Sequence, residues 1–277
     1  MLCPSSVLSY ATKSSTKQWI ARQARDPYIK QRNTPTLSRA PGGPLAAWRS
    51  RAAFKLVQLD EKYNFLSPLD VRVVVDLGAS PGGWSQVAAR KLGWPMQPNL
   101  RQDSSSLSPY ADEMWSPDAA PTPPLNRGRG PVIALDLLPM APITGVQFIQ
   151  GDLFAPDTEL LLRNLIKQHT LHDPDPRADV VLCDMAANST GNDIRDIESS
   201  LTICTSVFAF AKRHLRTAES SGREFGGVLL MKHFVHPLLA AFRHELVQHF
   251  ADVRYVKPAA SRTESKEAYY LCRGWKG

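Results

Sequence analysis

Hydrophobic residues recur with two different spacings along the chain from Val71 onward. Short continuous apolar runs alternate with longer segments in which apolar residues return every three or four positions. The runs predict seven strands, at Val71–Leu77, Val132–Leu137, Val146–Gln150, Val180–Cys183, Val228–Lys232, Val253–Val256 and Ala268–Cys272. The longer segments predict helices at Trp84–Leu92, Asp157–His169, Asp193–Leu215 and Pro237–Phe250. Continuous apolar strands between helices predict an α/β fold with a mostly parallel sheet and helices on both faces.

The two ends of this pattern differ from its middle. Only Lys257–Glu267 separates the last two predicted strands, and it has no helical period, so a hairpin-like reversal predicts an antiparallel final strand. Before the first strand, helices are predicted over Trp48–Tyr63 and, with weaker periodicity, over Thr16–Gln31. Gly93–Pro131 is rich in proline and serine, which predicts an insertion that is disordered or forms a loose surface loop.

The formal net charge of +7 favours an acidic partner such as nucleic acid. Basic residues are concentrated before Asp60, where Asp26 is the only other acid. A start that is rich in Arg and Ser and poor in acids is typical of an organelle transit peptide, but a basic arm that touches RNA phosphates has the same composition. Both hold if residues 1–13 are a presequence and 14–277 form one domain with a basic helical extension.

Neither a membrane span nor a metal site is predicted. The longest apolar runs fall far short of the roughly 20 residues that cross a bilayer. The four cysteines, Cys3, Cys183, Cys204 and Cys272, form no C-x-x-C pair, and no histidines stand at metal-ligand spacing. A disulfide framework and a zinc site are therefore not expected, and the cysteines fit a reducing compartment.

A glycine-rich turn joins the first predicted strand to the next helix, over Asp76–Ser85. A phosphate-binding P-loop would need a Lys-Ser or Lys-Thr ending, and a dinucleotide fingerprint would need G-x-G-x-x-G; neither is present. The order Asp-x-Gly-x-x-Pro-Gly-Gly-Trp instead favours S-adenosylmethionine. Glycines let the backbone approach a ligand at the carboxyl edge of the sheet, where such folds bind ligands.

Acidic residues follow three strands. Asp136 is placed to hydrogen-bond a ribose diol, and Asp152 an adenine amino group; Asp184 follows the next strand along the chain. Each acid alone could be an ordinary cap or turn residue. Three acids at successive strand ends favour a nucleoside-like cofactor.

Several of these segments closely resemble the FtsJ/RrmJ-type ribosomal RNA 2′-O-methyltransferases, and within them the mitochondrial large-subunit branch. The resemblance is carried by Arg49–Leu56, Asp76–Gln86, Asp136–Met140, Gln150–Asp152, Asp184–Asn188, Leu230–Lys232, Ser261–Arg262 and Ser265–Glu267. It implies a Rossmann-like methyltransferase fold with a seven-stranded sheet, and S-adenosylmethionine as cofactor. The implied cofactor contacts are Pro81, Gly82, Gly83, Trp84, Asp136, Asp152 and Asp184.

The family's Lys-Asp-Lys-Glu catalytic tetrad is matched by Lys55, Asp184, Lys232 and Glu267. Lys232 is expected to accept the 2′-hydroxyl proton, because burial and a neighbouring cation such as Lys55 would lower its pKa toward neutrality. The two acids would orient the lysines, and Lys55 would position the ribose or its phosphate. Ala187 departs from the family, which often has proline there.

The resemblance further implies the substrate and the compartment. The expected target is a uridine in the A-loop of mitochondrial large-subunit ribosomal RNA, methylated in the matrix by a monomer. A tRNA or mRNA-cap 2′-O-methyltransferase stays open, as does a non-catalytic RNA-binding assembly factor on the same fold. Lys257, Arg262 and Lys266 are candidate phosphate contacts, while Trp19 and Tyr28 either stack on bases or pack against the domain.

Overall fold

A computed structural model describes residues 26–33, 48–96, 128–170, 173, 176–186 and 191–277. The predicted presequence at residues 1–13, most of the helix predicted over Thr16–Gln31, and Cys3, Trp19 and Ala187 lie outside these ranges. The strands are β1 Val74–Leu77, β2 Val132–Asp136, β3 Val146–Gln150, β4 Val180–Cys183, β5 Val228–Phe234, β6 Phe250–Val256 and β7 Glu267–Trp275. The helices are α1 Pro27–Asn33, α2 Ala52–Tyr63, α3 Gly83–Lys91, α4 Pro156–His169, α5 Asp193–His214, α6 Ala218–Ser221 and α7 Pro237–His249.

All seven strands form one sheet in the order β3-β2-β1-β4-β5-β7-β6. The first five run parallel, and β7 lies antiparallel between β5 and β6. The predicted mostly parallel sheet with a reversed final strand is confirmed. The reversal brings the first residues of β7 to the edge at which β4 and β5 end, so that edge collects side chains from both chain directions.

Helices cover the sheet on both faces, as the continuous apolar strands require. One buried cluster packs α4, α5 and α7 against residues such as Val181, Leu229 and Met231. The other packs α2 and α3 against Val180, Leu230 and Tyr269. Among the described residues, no helix is long and apolar enough to cross a bilayer.

The first strand begins three residues later than its apolar run predicts. The Asp179 carboxylate accepts hydrogen bonds from the backbone N–H groups of Arg72, at 2.8 Å, and Val73, at 2.9 Å. A side chain thus takes the place of a neighbouring strand for these two residues. The apolar pattern detects burial, but it cannot detect this substitution of the hydrogen-bonding partner.

The described ends of the predicted Gly93–Pro131 insertion are part of the folded domain. The Trp94 indole donates to the carbonyl of Gly130 at 2.7 Å. The Arg129 guanidinium donates to the carbonyls of Leu66, Ser67, Pro68 and Lys91, and its backbone N–H donates to Leu92 at 2.8 Å. The chain therefore leaves and rejoins the domain at one place, and residues 97–127 between lie outside the described ranges.

Candidate active site

The four tetrad residues meet at the carboxyl edge of the sheet although they come from four separate elements. Lys55 lies in the first turn of α2, Asp184 directly follows β4, Lys232 is in β5, and Glu267 begins β7. Lys232 and Tyr269 are paired neighbours across the antiparallel β5–β7 ladder, which fixes the register between these strands. The topology of the sheet therefore brings Lys55 and Glu267, which are more than two hundred residues apart in the sequence, into one cluster.

Two short ion pairs make up this cluster. The Lys55 Nζ lies 2.6 Å from Glu267 Oε1, and the Lys232 Nζ lies 3.1 Å from Asp184 Oδ1. The Lys232 ammonium also donates to the Asp184 backbone carbonyl. Each side chain keeps between 10 % and 16 % of its surface exposed, so the pairs are mostly desolvated yet still reachable from solvent. Such pairs need good geometry to be stable, and these have it.

Tyr269 contacts both ion pairs, and no sequence motif had indicated it as a site residue. Its hydroxyl donates to Asp184 Oδ1 at 2.7 Å, while the Lys55 Nζ lies 5.7 Å from its ring centroid. Tyr269 follows Glu267 by two residues in a strand, so both side chains share one face of the sheet. That spacing was the available signal. Burial, followed by the charges of Asp184 and Glu267, raises the pKa of Tyr269 well above its usual value, which keeps its hydroxyl a donor.

The Asp184 carboxylate is held ionised. Burial alone would raise its pKa, but the charges of Lys232 and Lys55 and the hydrogen bonds from Tyr269 and Lys232 hold it below the usual value. Asp184 therefore carries a fixed negative charge at the centre of the cluster.

The expected lowering of the Lys232 pKa toward neutrality is wrong. Burial does lower it, but the nearby Asp184 and Glu267 carboxylates and the hydrogen bond to Asp184 outweigh burial and raise the Lys232 pKa above its usual value. Lys55 does not lower the Lys232 pKa as expected, because the positive charge of Lys55 is balanced by the Glu267 carboxylate with which it is paired. In this arrangement Lys232 is an ammonium group that donates hydrogen bonds.

An open cleft of about 440 Å³ leads to the Lys55–Glu267 pair. Its walls come from the start of α2 and from the segment between β6 and β7. They comprise Arg51, Ala52, Lys55, Arg262, Glu264, Ser265 and Glu267. The cleft gives a large polar substrate access to one side of the cluster.

The glycine-rich turn after β1 has the backbone that its sequence predicts. Gly78 and Gly82 have φ values of +76° and +104°, which residues with a Cβ rarely adopt. A Cβ on Gly82 would lie 2.7 Å from Ile143 Cδ1, and one on Gly78 would lie 2.0 Å from Met185 Cγ. Gly83 packs similarly against Ser50. The turn with Pro81 therefore brings bare backbone to the sheet edge and to the start of α3.

Trp84 faces the interior instead of the cleft. It is 3 % exposed, its indole donates to the Ala52 carbonyl at 2.9 Å, and its ring lies 5.8 Å from that of Tyr269. Its side chain thus ties α3 to α2 and supports Tyr269. Any contact of Trp84 with a ligand falls to its backbone in the first turn of α3, where helix N–H groups have no partner within the helix.

Asp136 and Asp152 both shape the turns that follow their strands. Asp136 accepts from the backbone of Ser80 and of Leu138, each at 2.8 Å, and so connects β2 to the glycine-rich turn. Asp152 is exposed and accepts from the backbone of Phe154 at 3.0 Å. The turn-forming role of these acids is thus present, and each carboxylate retains lone pairs for a ligand.

Asp76 provides the test of whether this edge fits S-adenosylmethionine. It is fully buried, Ser85 donates to its Oδ2 at 2.6 Å, and its Oδ1 has no hydrogen-bond partner among the described residues. Burial raises its pKa to about 7. A buried carboxylate oxygen without a partner is costly and suits a cationic or amino group. Together with Asp136, Asp152 and the glycine turn, Asp76 fits a ligand with a charged amino-acid end and a nucleoside end.

Arg49 is a second residue that the sequence reasoning did not place in the site. Its guanidinium donates to the carbonyls of Ala141 and Pro142, and its backbone N–H donates to Gln86 Oε1 at 2.7 Å. Arg49 thereby holds the segment after β2 against Gly82. This basic residue, which composition assigns to an RNA-binding arm, is used inside the domain.

The described residues contain no group of His, Cys, Asp and Glu side chains that could hold a metal ion. Cys183, Cys204 and Cys272 are buried and unpaired. The chemistry available at this edge therefore comes from the lysine–acid pairs, Tyr269, and the backbone of the glycine-rich turn.

The sheet order, the glycine-rich turn and the acidic strand ends define a Rossmann-like methyltransferase. The sequence model of the family described as FtsJ-like methyltransferase matches residues 48–275. The chain belongs to this family, and S-adenosylmethionine is its cofactor.

Individual relatives agree with this assignment. The chain is 37 % identical over 265 residues to the ribosomal RNA large subunit methyltransferase E of Afipia carboxidovorans, covering 96 % of this chain and 91 % of that protein. It is 36 % identical over 265 residues to the protein of the same name from Bradyrhizobium, covering 96 % and 89 %. A Plasmodium falciparum crystal structure, described as a ribosomal RNA methyltransferase, superposes with a TM-score of 0.60 at 23 % identity, covering 83 % of this chain and 100 % of that one. This last likeness supports the fold.

Proposed function

We propose that this protein transfers the methyl group of S-adenosylmethionine to a ribose 2′-hydroxyl of large-subunit ribosomal RNA. The observation that carries the proposal is the convergence of the Lys55–Glu267 and Lys232–Asp184 pairs on Tyr269, at the edge that also holds the glycine-rich turn. The relatives named as ribosomal RNA large subunit methyltransferases support the choice of RNA.

Alignment is the main task of these residues. Methyl transfer forms a bond from the ribose oxygen to carbon as the carbon–sulfur bond of the cofactor breaks, and the hydroxyl proton must leave. Bound S-adenosylmethionine supplies the methyl group and a positively charged sulfur. Gly82, the backbone of Trp84, Asp76, Asp136 and Asp152 would hold it through the groups described above.

Lys232 and Asp184 would hold the ribose oxygen, and Lys232 would take its proton. Because Asp184 and Glu267 keep the Lys232 pKa high, only a small fraction of the amine is neutral at pH 7. The positively charged sulfur of S-adenosylmethionine would lower the pKa of a neighbouring lysine, so cofactor binding would favour the neutral amine of Lys232, which can accept a proton. Lys55, at the base of the cleft, would contact the ribose or its phosphate.

The finer assignment is a uridine in the A-loop of mitochondrial large-subunit ribosomal RNA, modified in the matrix by a monomer. The residue-by-residue match of the tetrad to the family supports a 2′-hydroxyl as the acceptor, and the relatives named as ribosomal RNA large subunit methyltransferases support the choice of RNA. The basic, serine-rich and acid-poor start of the chain supports the compartment.

A direct assay tests the function. Purified protein, S-adenosylmethionine and a synthetic A-loop hairpin should yield a 2′-O-methyl nucleotide at one position, detected by mass spectrometry of nuclease fragments. A hairpin with a 2′-deoxy nucleotide at that position is the control and should accept no methyl group. Methylation of a base, or transfer only to tRNA or cap substrates, would contradict the assignment. Binding of the hairpin without any transfer would favour an assembly factor.

A further inference from the structure

Asp26 is a buried acid that the proposed chemistry does not use. It directly precedes α1 and is 8 % exposed, and it accepts from the backbone N–H of Tyr28 at 3.0 Å. An ionised carboxylate at such a site requires charged partners. Its partners are Arg51, at 2.7 Å, and Arg262, at 3.7 Å, and both arginines line the cleft that leads to Lys55 and Glu267.

The two arginines are held very differently. Besides Asp26, the Arg51 guanidinium donates to the Ala260 carbonyl at 2.7 Å and lies 5.6 Å from the Tyr28 ring centroid. Arg51 therefore clamps α1, the start of α2 and the segment between β6 and β7 together. It is a fixed part of the cleft wall.

Arg262 is held by charge alone at its Asp26 contact. The separation of 3.7 Å is too long for a hydrogen bond, and the side chain is 30 % exposed. Its donors can therefore turn toward a ligand in the cleft while the Asp26 charge keeps the guanidinium in place. Guanidinium groups bind phosphate well because their planar N–H groups match its oxygens.

We propose that Asp26 is a positioning residue that holds Arg262 at the cleft for a backbone phosphate of the substrate RNA, next to the ribose that reaches the tetrad. The inference rests on the proposed function, since it requires an RNA substrate. Asp26 lies outside the cleft wall and acts on the RNA through Arg262, while its ion pair with Arg51 holds Asp26 itself in place. An acid that improves the binding of a polyanion is otherwise unexpected, which makes the inference easy to test.

The experiment measures binding of the full-length protein to the A-loop hairpin by fluorescence anisotropy, and methyl transfer kinetics with the same RNA. Asp26→Asn should raise the KM for RNA on the order of tenfold, with kcat and the affinity for S-adenosylmethionine within about twofold. Arg262→Gln should raise it similarly and reduce the slope of log affinity against log salt by about one. Asp26→Glu, which keeps the charge, should restore most of the affinity.

A matched control separates this effect from net charge. Glu219→Gln removes an exposed acid of α6, so it adds the same unit of positive charge and should leave RNA binding unchanged or slightly tighter. Asp26→Asn must change affinity in the opposite direction. In the double variant, Asp26→Asn should add little to Arg262→Gln, because both act on one contact.

Three results would overturn the inference. These are an unchanged KM for Asp26→Asn, losses that multiply in the double variant, and a lower melting temperature as the only effect of Asp26→Asn. Failure of the wild-type protein to bind or methylate the hairpin would instead overturn the proposed function together with this inference. Wild-type binding with an unaffected Asp26→Asn variant overturns the inference alone.

Discussion

The two halves of the carboxyl edge are built on different principles. On the side of β1, β2 and β3, the groups suited to the cofactor are backbone turns, bare glycines and acids that shape their own loops. On the side of β4, β5 and β7, the proposed catalytic groups are charged side chains that reach one another from distant parts of the chain. The first half depends on local conformation and the second on long-range pairing. Variants should therefore separate cofactor binding from turnover.

The largest expected effect is the loss of turnover on replacing Lys232. Lys232→Arg keeps the positive charge beside Asp184 but cannot accept a proton near neutral pH. We expect kcat to fall by about 10² to 10⁴, with little change in cofactor affinity. Single-turnover methyl transfer and calorimetry with S-adenosylmethionine measure the two quantities.

Lys266→Arg is the matched control for this variant, since Lys266 is exposed and its ammonium pairs with the exposed Asp193 at 2.9 Å. Its activity should equal that of the wild type. Full activity of Lys232→Arg would remove Lys232 from the role of proton acceptor.

The second expected effect is a rise in turnover with pH. Because the Lys232 pKa is raised, only a small fraction of the amine is neutral at pH 7. As long as the pH stays below that pKa, this fraction increases about tenfold for each unit by which the pH rises. The value of kcat/KM for S-adenosylmethionine, which follows the ionisation of the cofactor-free protein, should therefore rise with nearly this slope between pH 7 and 9, provided that chemistry limits the rate. The free energy of unfolding should change in the opposite direction. The charged Lys232 stabilises the fold while the pH is below its raised pKa, and this contribution is lost as the pH rises through that pKa. A flat profile for the wild type would mean that Lys232 only orients the ribose.

The third effect belongs to the cofactor half. In Gly82→Ala, the new Cβ meets Ile143 at 2.7 Å and Met140 at 2.8 Å, at a φ of +104°. We expect a loss of about 2 to 4 kcal/mol in the free energy of unfolding and a clear loss of cofactor affinity. Gly222→Ala is the control, because Gly222 has a φ of +67° but nothing within 4 Å of an added Cβ. It should lose only about 1 to 2 kcal/mol and bind S-adenosylmethionine normally. If both variants bound S-adenosylmethionine with equal affinity, Gly82 would not be part of the cofactor site.

The smallest effect is expected where the two halves touch. Tyr269→Phe removes one hydrogen bond to the Asp184 carboxylate while keeping the ring between Trp84 and Lys55. The expected loss is about 1.5 to 3 kcal/mol of stability, together with a several-fold lower kcat. Urea unfolding and steady-state kinetics measure both. An unchanged kcat would show that the Lys232–Asp184 pair keeps its geometry without Tyr269.

Sequence patterns predicted most of the fold because burial and turn conformation are local. The strands from Val146 and Val180 match the predicted bounds fully, and the glycine positions anticipated the positive φ values of Gly78 and Gly82. The tetrad positions came from the family resemblance, and the structure brings all four side chains together.

What the sequence did not predict depends on contacts between distant residues. The Lys232 pKa is set by which acids face it, and Lys55 turned out to be neutralised by Glu267. Arg49 and Arg51 looked like members of an RNA-binding arm, but Arg49 holds the segment after β2, and Arg51 reaches a carbonyl 209 residues away. Charge counting cannot distinguish such internal clamps from surface phosphate contacts. Trp84 likewise reads as a ligand contact until its burial is known.

Trp94 and Arg129 hold the two ends of the segment between them close together on the domain. Since Arg129 hydrogen-bonds directly to Leu92, a few residues can close the gap that the longer natural connection spans. The entropy of closing a loop varies only slowly with its length, so changing the number of residues between Trp94 and Arg129 should alter the stability of the domain only slightly. A fluorescent label or an affinity tag inserted between Trp94 and Arg129 is therefore expected to leave the fold intact.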